Sequence, residues 1–462
     1  MKLQPAPIAS SSTGPSWLFE YLVVACFGVV AWWPLLLERP PVADDYFNGS
    51  LFTHGLVDYW RHYGIWRIAG HAPPFLVGPK ADRCLAFATH LCVTLLLLSV
   101  LRKLVASRPI ALATASVFAA LPFGFQALTW NSALSFALST AFCLGALLCV
   151  LRPIDDLRTG FRAGLFSGLL AFASLSSNEA TLLVIPWVAA LPIILSLSQR
   201  GGAARCVTAA LVLAAEAGWI ALHLATKTEA FHKNPSFHTP ALVSGLFHQV
   251  EQLTYFVKLA HLSPWLSPFA WVSAGLAIVL ALIARGKLAS VEASRSNPLK
   301  HFYMALLPIA AVAIYAIGGG FSTDSRKAYV LWPFLLLMAA HFLSATGVKA
   351  QRIAASLMLL CCPILVLSAH ATARAWADTA SLFNIAFEQI RAGQIEAPLR
   401  FEWQPNIYAA WPDFDRLCGF RMDAPWVINS AAGPQRSRQD GKVSAMLWNP
   451  DVRQWQVEAL EP

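Results

Sequence analysis

The sequence predicts an all-α polytopic membrane protein of about eleven transmembrane helices, with a small mixed α/β region at its C-terminal end. Three observations carry this expectation. The 462-residue chain is 57% apolar and only 13% charged, whereas an ordinary soluble domain is roughly 25% charged and could not otherwise cover its surface. The apolar residues come in blocks of about 17 to 22, the length a helix needs to cross a hydrocarbon core roughly 30 Å thick. The basic residues gather in alternate connections between those blocks, as they do in proteins held across a membrane in one orientation.

The first block, 17–37, contains Val23-Val24-Ala25-Cys26, which has the form of a lipoprotein cleavage site. The apolar run continues well past Cys26 and only Lys2 precedes it, so the segment reads as an uncleaved first span. Further spans are expected over 84–101, 110–125, 131–151, 163–177, 180–198, 206–226, 269–284, 302–318, 329–346 and 353–371. With the N-terminus in the cytoplasm, the inner connections hold fifteen Lys and Arg in about 65 residues and the outer ones ten in about 110. That density ratio predicts N-in and C-out.

This orientation sorts what remains. The inner connections are short and basic, while the long ones, 38–83 and 227–268, fall outside, as does the tail from 372. Segment 241–262 carries His248, Glu251, Lys258 and His261 among apolar residues. Four such groups are costly in lipid, so it reads as an amphipathic helix on the outer interface rather than a twelfth span. A true span there would move the tail to the cytoplasm. The tail opens on a helical stretch, Ala371 to Arg391, that continues the last span. It then breaks into short Trp-, Pro- and Gly-punctuated pieces of strand character. The chain divides into a bundle, 1–371, and an extracytoplasmic domain, 372–462.

Composition also excludes some classes. The net charge of +9 is what basic inner loops produce, so no nucleic-acid partner is expected. Eight of the nine cysteines lie in or beside apolar blocks and only Cys418 falls in a polar stretch, which indicates neither a disulfide framework nor a metal cluster. No phosphate-binding Gly-rich loop is present, which argues against an ATP-driven pump. His54, His62, His71, His232, His238 and His248 lack the spacing of a zinc motif.

The chemistry concentrates in the first outer connection. After Pro40-Pro41 come Asp44 and Asp45, then a run of polar aromatics that includes Trp60, Trp66 and Arg67. Paired carboxylates just beyond a span can act as a general base or hold a divalent metal such as Mg or Mn. They can equally cap a short helix. Trp60 and Trp66 can stack on a sugar ring or anchor the loop at the interface. Glu179, between two apolar runs, reads either as a turn residue or as part of an outer cavity, and Glu216 lies deeper, within a span.

The order of these features resembles the GT-C superfamily of membrane glycosyltransferases, which use polyprenyl-phosphate sugars. An acidic motif, here Asp44-Asp45-Tyr46, follows the first span, and an Arg-Gly stretch, here Gly64-Ile65-Trp66-Arg67-Ile68-Ala69-Gly70, follows it in turn. Leu121-Pro122 and Trp130-Asn131 straddle an outer turn, Ser177-Asn178-Glu179 closes the fifth span, and Ser325-Arg326-Lys327-Ala328-Tyr329 opens the tenth. The resemblance implies a GT-C-like bundle in a bacterial cytoplasmic membrane and an inverting hexosyl- or pentosyl-transfer. The donor would be a polyprenyl-phosphate-linked sugar and the acceptor a glycan, lipid or protein. It implies Asp44 as base, with Asp45 as the alternative, and Arg67, Arg326 and Lys327 as partners of the leaving phosphate. Arg suits bidentate binding there, although Arg326 and Lys327 can also anchor lipid headgroups. Trp66 and Glu179 would line the substrate cavity. Two other classes fit the layout: an O-antigen ligase or polymerase using His232, Lys233 and His238, and a transporter or lipid flippase, which needs ionisable groups at mid-membrane.

Overall fold

The computed structural model describes residues 16–37, 68–196, 202–226, 268–286, 298–317 and 325–394, with strand segments at 400–401, 444–449 and 454–459. Each block expected to span a membrane overlaps a described helix, although the block 110–125 leaves its helix at Ala120 and continues as a turn. Ser16–Trp32 (α1) is extended by one turn at Pro34–Leu37 (α2). Ile68–Leu76 (α3) then leads into Gly78–Leu104 (α4). The first long connection is therefore helical in its last part, and α4 begins ahead of the apolar block, where Pro79 fits a helix's first turn.

Arg108–Ala120 (α5) and Gln126–Thr129 (α6) are followed by a 3-10 turn at Asn131–Ala133 and by Leu134–Val150 (α7). Leu157–Ser177 (α8) ends in a second 3-10 turn, Glu179–Thr181, before Ile185–Ser196 (α9) and Gly202–Ala225 (α10). Pro268–Gly286 (α11), Pro298–Ile317 (α12), Ser325–Ser344 (α13) and Val348–Arg391 (α14) complete the described helices. Six of the helical segments are long and apolar enough to cross a membrane, and four shorter ones are apolar too. In the tail, Arg400–Phe401 (β1) pairs parallel with Ser444–Asn449 (β2), which pairs antiparallel with Gln454–Ala459 (β3).

The core forms around α5, which packs against α1, α4, α13 and α14. Nearly all of its side chains are buried, and most are Ala, Ser, Thr or Ile. Small residues let neighbouring backbones approach closely where lipid supplies no hydrophobic drive. The same rule joins α8 to α10. Gly160, Gly164 and Gly168 form one face, and a Cβ at Gly164 would stand 2.8 Å from Leu211 Cδ1 and 2.9 Å from Thr208 Cα. Thr208 donates its hydroxyl to the Gly160 carbonyl at 2.9 Å, locking the contact.

At one end of the bundle, the Glu20 carboxylate of α1 meets Arg102 of α4 at 3.3 Å and Arg108 of α5 at 3.7 Å. Lys300 of α12 donates to the Leu104 carbonyl at 2.7 Å beside them. The next connection on this side ends in a capping box: Asp156 accepts from the Thr159 N–H at 2.7 Å. That backbone hydrogen bond, helped by the Thr159 hydroxyl, holds the Asp156 carboxyl below the usual carboxylate range.

The opposite end holds the constraint on which the fold turns. Leu121 to Trp130 is a buried turn, which is unusual because a buried loop must satisfy its own polar backbone. It does so by short-range bonds: Phe125 N–H to Pro122 O, Ala127 to Gly124, Leu128 and Thr129 to Phe125, and Trp130 to Gln126. Gly124 takes a left-handed φ of 74°, and a Cβ there would lie 2.7 Å from Tyr329 Cβ and 2.8 Å from Tyr329 Cα. Gly124→Ala is expected to lower the thermal unfolding midpoint in detergent, since the left-handed conformation alone costs about 1–2 kcal/mol in an L-residue. Gly218→Ala, with nothing within 4 Å, is the matched control and should leave the midpoint unchanged or slightly raised.

Candidate functional site

The helix start at Ser325 is held in place by three interactions with α4, α5 and the buried turn. Tyr329, one turn into α13, donates its hydroxyl to His90 Nδ1 at 2.9 Å, while His90 Nε2 donates to the Ala119 carbonyl at 3.0 Å. A carbonyl only accepts, so Nε2 carries a proton, and both ring nitrogens are used. Gln126, fully buried in the turn, accepts the Arg326 backbone N–H at 3.2 Å and so satisfies one of the free donors of the first helical turn. The Arg326 guanidinium lies over the Trp130 ring at 4.2 Å from its centroid, with Phe136 at 5.9 Å. Stacking on Trp restricts the long side chain to one direction. Lys327 follows on the same turn, half-buried.

Glu179 is placed by a separate device. Asn178 caps the 3-10 turn by accepting from the Ala180 N–H at 3.0 Å, and its amide donates to Ser135 Oγ at 3.3 Å. Beneath it, Ser139, Ser174 and Thr181 share a closed set of hydroxyl contacts, Ser139 to Ser174 at 3.2 Å, Ser139 to Thr181 at 3.1 Å and Ser174 to Thr181 at 2.8 Å. Ser174 also donates to the Ser139 carbonyl at 2.8 Å. Buried hydroxyls that satisfy one another fix the turn to α7 and α8. The turn bearing Glu179 packs on both α12 and α13, the helix that carries Arg326.

The first long connection has both its feet at this end. Arg83 of α4 donates to the Leu37 carbonyl at the end of α2. Gly70 of α3 presses against the Ser177 carbonyl and Ser135, and no Cβ could be accommodated there. Three of the motif positions read from the sequence therefore meet in space. The Ser177-Asn178-Glu179 turn, the Trp130 turn and the Arg326 helix start form one cluster, and Gly70 docks on its edge.

Asp44, Asp45, Trp66 and Arg67 lie outside the described residues, as do His232, Lys233, His238 and segment 241–262. Among the described residues, no three His, Cys, Asp or Glu side chains gather as a metal site. Glu216 is buried on α10, which packs on α8 and α9. Two groups of this end escape a reading of the sequence. Gln126 sits in an apolar stretch with no spacing to mark it. Asp82, buried in the first turns of α4, looks in Lys80-Ala81-Asp82-Arg83 like any carboxylate at a helix start.

No protein-family model matches the chain, and no curated protein does. Among solved structures, the chain is similar over 84% of its length to the cryo-EM structure of the arabinofuranosyltransferase AftD from Mycobacteria, with a TM-score of 0.44 and 15% identity. It spans 30% of the length of that protein. Likeness at that level leaves the activity of this chain to be read from its own side chains. Asn178→Ala removes both the cap and the Ser135 contact. It is expected to lower stability by about 1 kcal/mol, read as a drop in unfolding midpoint that Asn178→Asp, which keeps the accepting oxygen, largely restores.

Proposed function

We propose that the chain is an inverting membrane glycosyltransferase that takes a sugar from a polyprenyl-phosphate donor. The observation that carries this reading is the cluster at one end of the bundle, where a directed guanidinium, a helix start and the Glu179 turn adjoin both feet of the first connection. Arg326 and Lys327 stand where the positive end of α13 adds to their charge, a setting suited to a phosphate. The connection bearing Asp44 and Asp45 joins Leu37 to Ile68 in sequence, and we assign its carboxylates to the end of the bundle where those two residues lie.

In the proposed reaction, Asp44, or Asp45 in its place, accepts the proton of the acceptor hydroxyl. The oxygen attacks the anomeric carbon from the face opposite the phosphate. The new C–O bond forms as the bond to the phosphate oxygen breaks, and the anomeric configuration inverts. Arg326, Lys327 and Arg67 neutralise the leaving polyprenyl phosphate, with a guanidinium pairing two oxygens at once. Trp66 and Glu179 line the sugar's side of the cavity. A divalent cation such as Mg or Mn, where one takes part, would be held by the same aspartates. The reaction is assigned to the outer face of a bacterial cytoplasmic membrane, with 372–462 as an extracytoplasmic domain. Donors already facing outward remove the need for a nucleotide-binding domain. The acceptor is a glycolipid, a polysaccharide or a protein.

The double variant Asp44→Asn, Asp45→Asn is expected to lower transfer from membrane-embedded polyprenyl-phosphate sugars by roughly 10²-fold or more, the contribution of a positioned base. Membrane insertion should stay at the wild-type level. Arg326→Ala should lower turnover as well, with Arg326→Lys recovering part of it. Retained transfer in the double Asn variant would overturn the mechanism.

A further inference from the structure

A second cavity, of about 270 Å³, opens between α1–α2, α11 and α14, with Trp33, Leu37, Phe269, His370, Arg374 and Asp378 among its walls. It is distinct from the cluster around Arg326. On α14, Trp376 meets Phe125 and Trp130 at ring-centroid distances of 5.4 and 6.3 Å, on the buried turn. Arg374 stands two residues earlier, roughly 200° round the helix, so α14 is a wall between the two places.

The floor of this cavity is chemically spent. The Trp33 indole donates to Ser273 Oγ at 3.1 Å, and His370 Nε2 donates to the Val30 carbonyl at 2.7 Å. Trp33 packs edge-on against Phe269 and His370, with centroids at 5.6 and 5.8 Å. What the cavity offers a ligand is therefore apolar wall and, among the described residues, the Arg374 guanidinium beside Asp378 at its mouth. Arg374 meets Asp378 through Nε alone, at 3.4 Å. The side chain is exposed and, among the described residues, the Asp378 contact does not engage its two terminal nitrogens, which form the fork that suits phosphate oxygens.

The surroundings supply the other half of the recognition. From Phe269 at the cavity edge, Val272, Leu276, Val279 and Ile283 form one exposed stripe along α11. The spacing is that of a single helix face, running from the cavity toward the other end of the bundle. A soluble anion would leave the stripe unused, and a plain hydrocarbon would leave Arg374 unused. The adjacent Asp378 carboxylate disfavours a dianion and suits a monoanionic phosphodiester.

We infer that this cavity holds one glycerophospholipid of the surrounding bilayer, its phosphodiester on Arg374 and an acyl chain along the α11 stripe. The full chain, purified in mild detergent, would be mixed with dioleoylphosphatidylglycerol and the bound lipids counted by native mass spectrometry. One tightly held copy per chain is expected, and dioleoylglycerol, with the same chains and no phosphate, should not displace it. Inorganic phosphate and farnesyl phosphate at the same concentration should also fail to displace it. Arg374→Ala should lower the occupied fraction by roughly tenfold, the loss of one charge-assisted contact, with an unchanged unfolding midpoint. Arg374→Lys should retain part of it. Displacement by dioleoylglycerol or farnesyl phosphate, or wild-type retention in Arg374→Ala, would overturn the assignment. The competition arms use the wild-type protein, so they decide the matter even where a variant fails to fold.

Discussion

The close approach of Gly124 to Tyr329 is the contact from which the organisation of one end of this bundle follows. A turn that is buried rather than laid on the surface has to complete its own backbone hydrogen bonds, and the Leu121–Trp130 segment does so within itself. Once it is self-contained, it can be covered on both sides. The start of α13 closes one side through Tyr329 and Arg326, and Trp376 of α14 closes the other. Because no Cβ fits between the turn and Tyr329, the two backbones stand at a fixed separation. The direction of the Arg326 side chain over Trp130 follows from that separation.

The two ends of the bundle solve opposite problems. Around Glu20, opposite charges meet directly, with one carboxylate shared between Arg102 and Arg108. That shared carboxylate ties three helices together. Around Arg326 the cation is oriented by an aromatic ring and a helix start. Stacking restricts the direction of a guanidinium. Beside it, the Ser139, Ser174 and Thr181 hydroxyls spend their hydrogen bonds on one another.

Much of the fold was legible in the sequence, because apolar block length is imposed by the bilayer. Each of the eleven blocks overlaps a described helix, six of the helical segments are long and apolar enough to cross a membrane, and the helical continuation past Ala371 is present in α14. The sidedness of the motifs was legible for the same reason, since alternate helix ends must share an end of the bundle. What the sequence concealed was the means of assembly. Gly160, Gly164 and Gly168 look unremarkable in an apolar run until Thr208 and Leu211 are seen against them. Gln126 is silent because its role depends on a backbone N–H two hundred residues away. His90 is a lone histidine in a span, and only its two partners show that it ties α4 to α5 and α13. The early start of α4 was missed because helix length there is set by packing and Pro79, and hydropathy marks only the part in lipid.

The length of α14 has a consequence of its own. At 1.5 Å per residue its 44 residues extend roughly 66 Å, about twice the thickness of a hydrocarbon core. The rod begins after Gly347, forms a wall of the bundle, and ends near Arg391 in contact with β3. Its far half is therefore a ruler. It touches β3 and carries Trp376 against the buried turn, so one continuous element links the tail sheet to that turn. Pro363 lies inside the helix on the bundle side of Trp376, where it removes one bond of the ladder and marks the place at which the rod can bend.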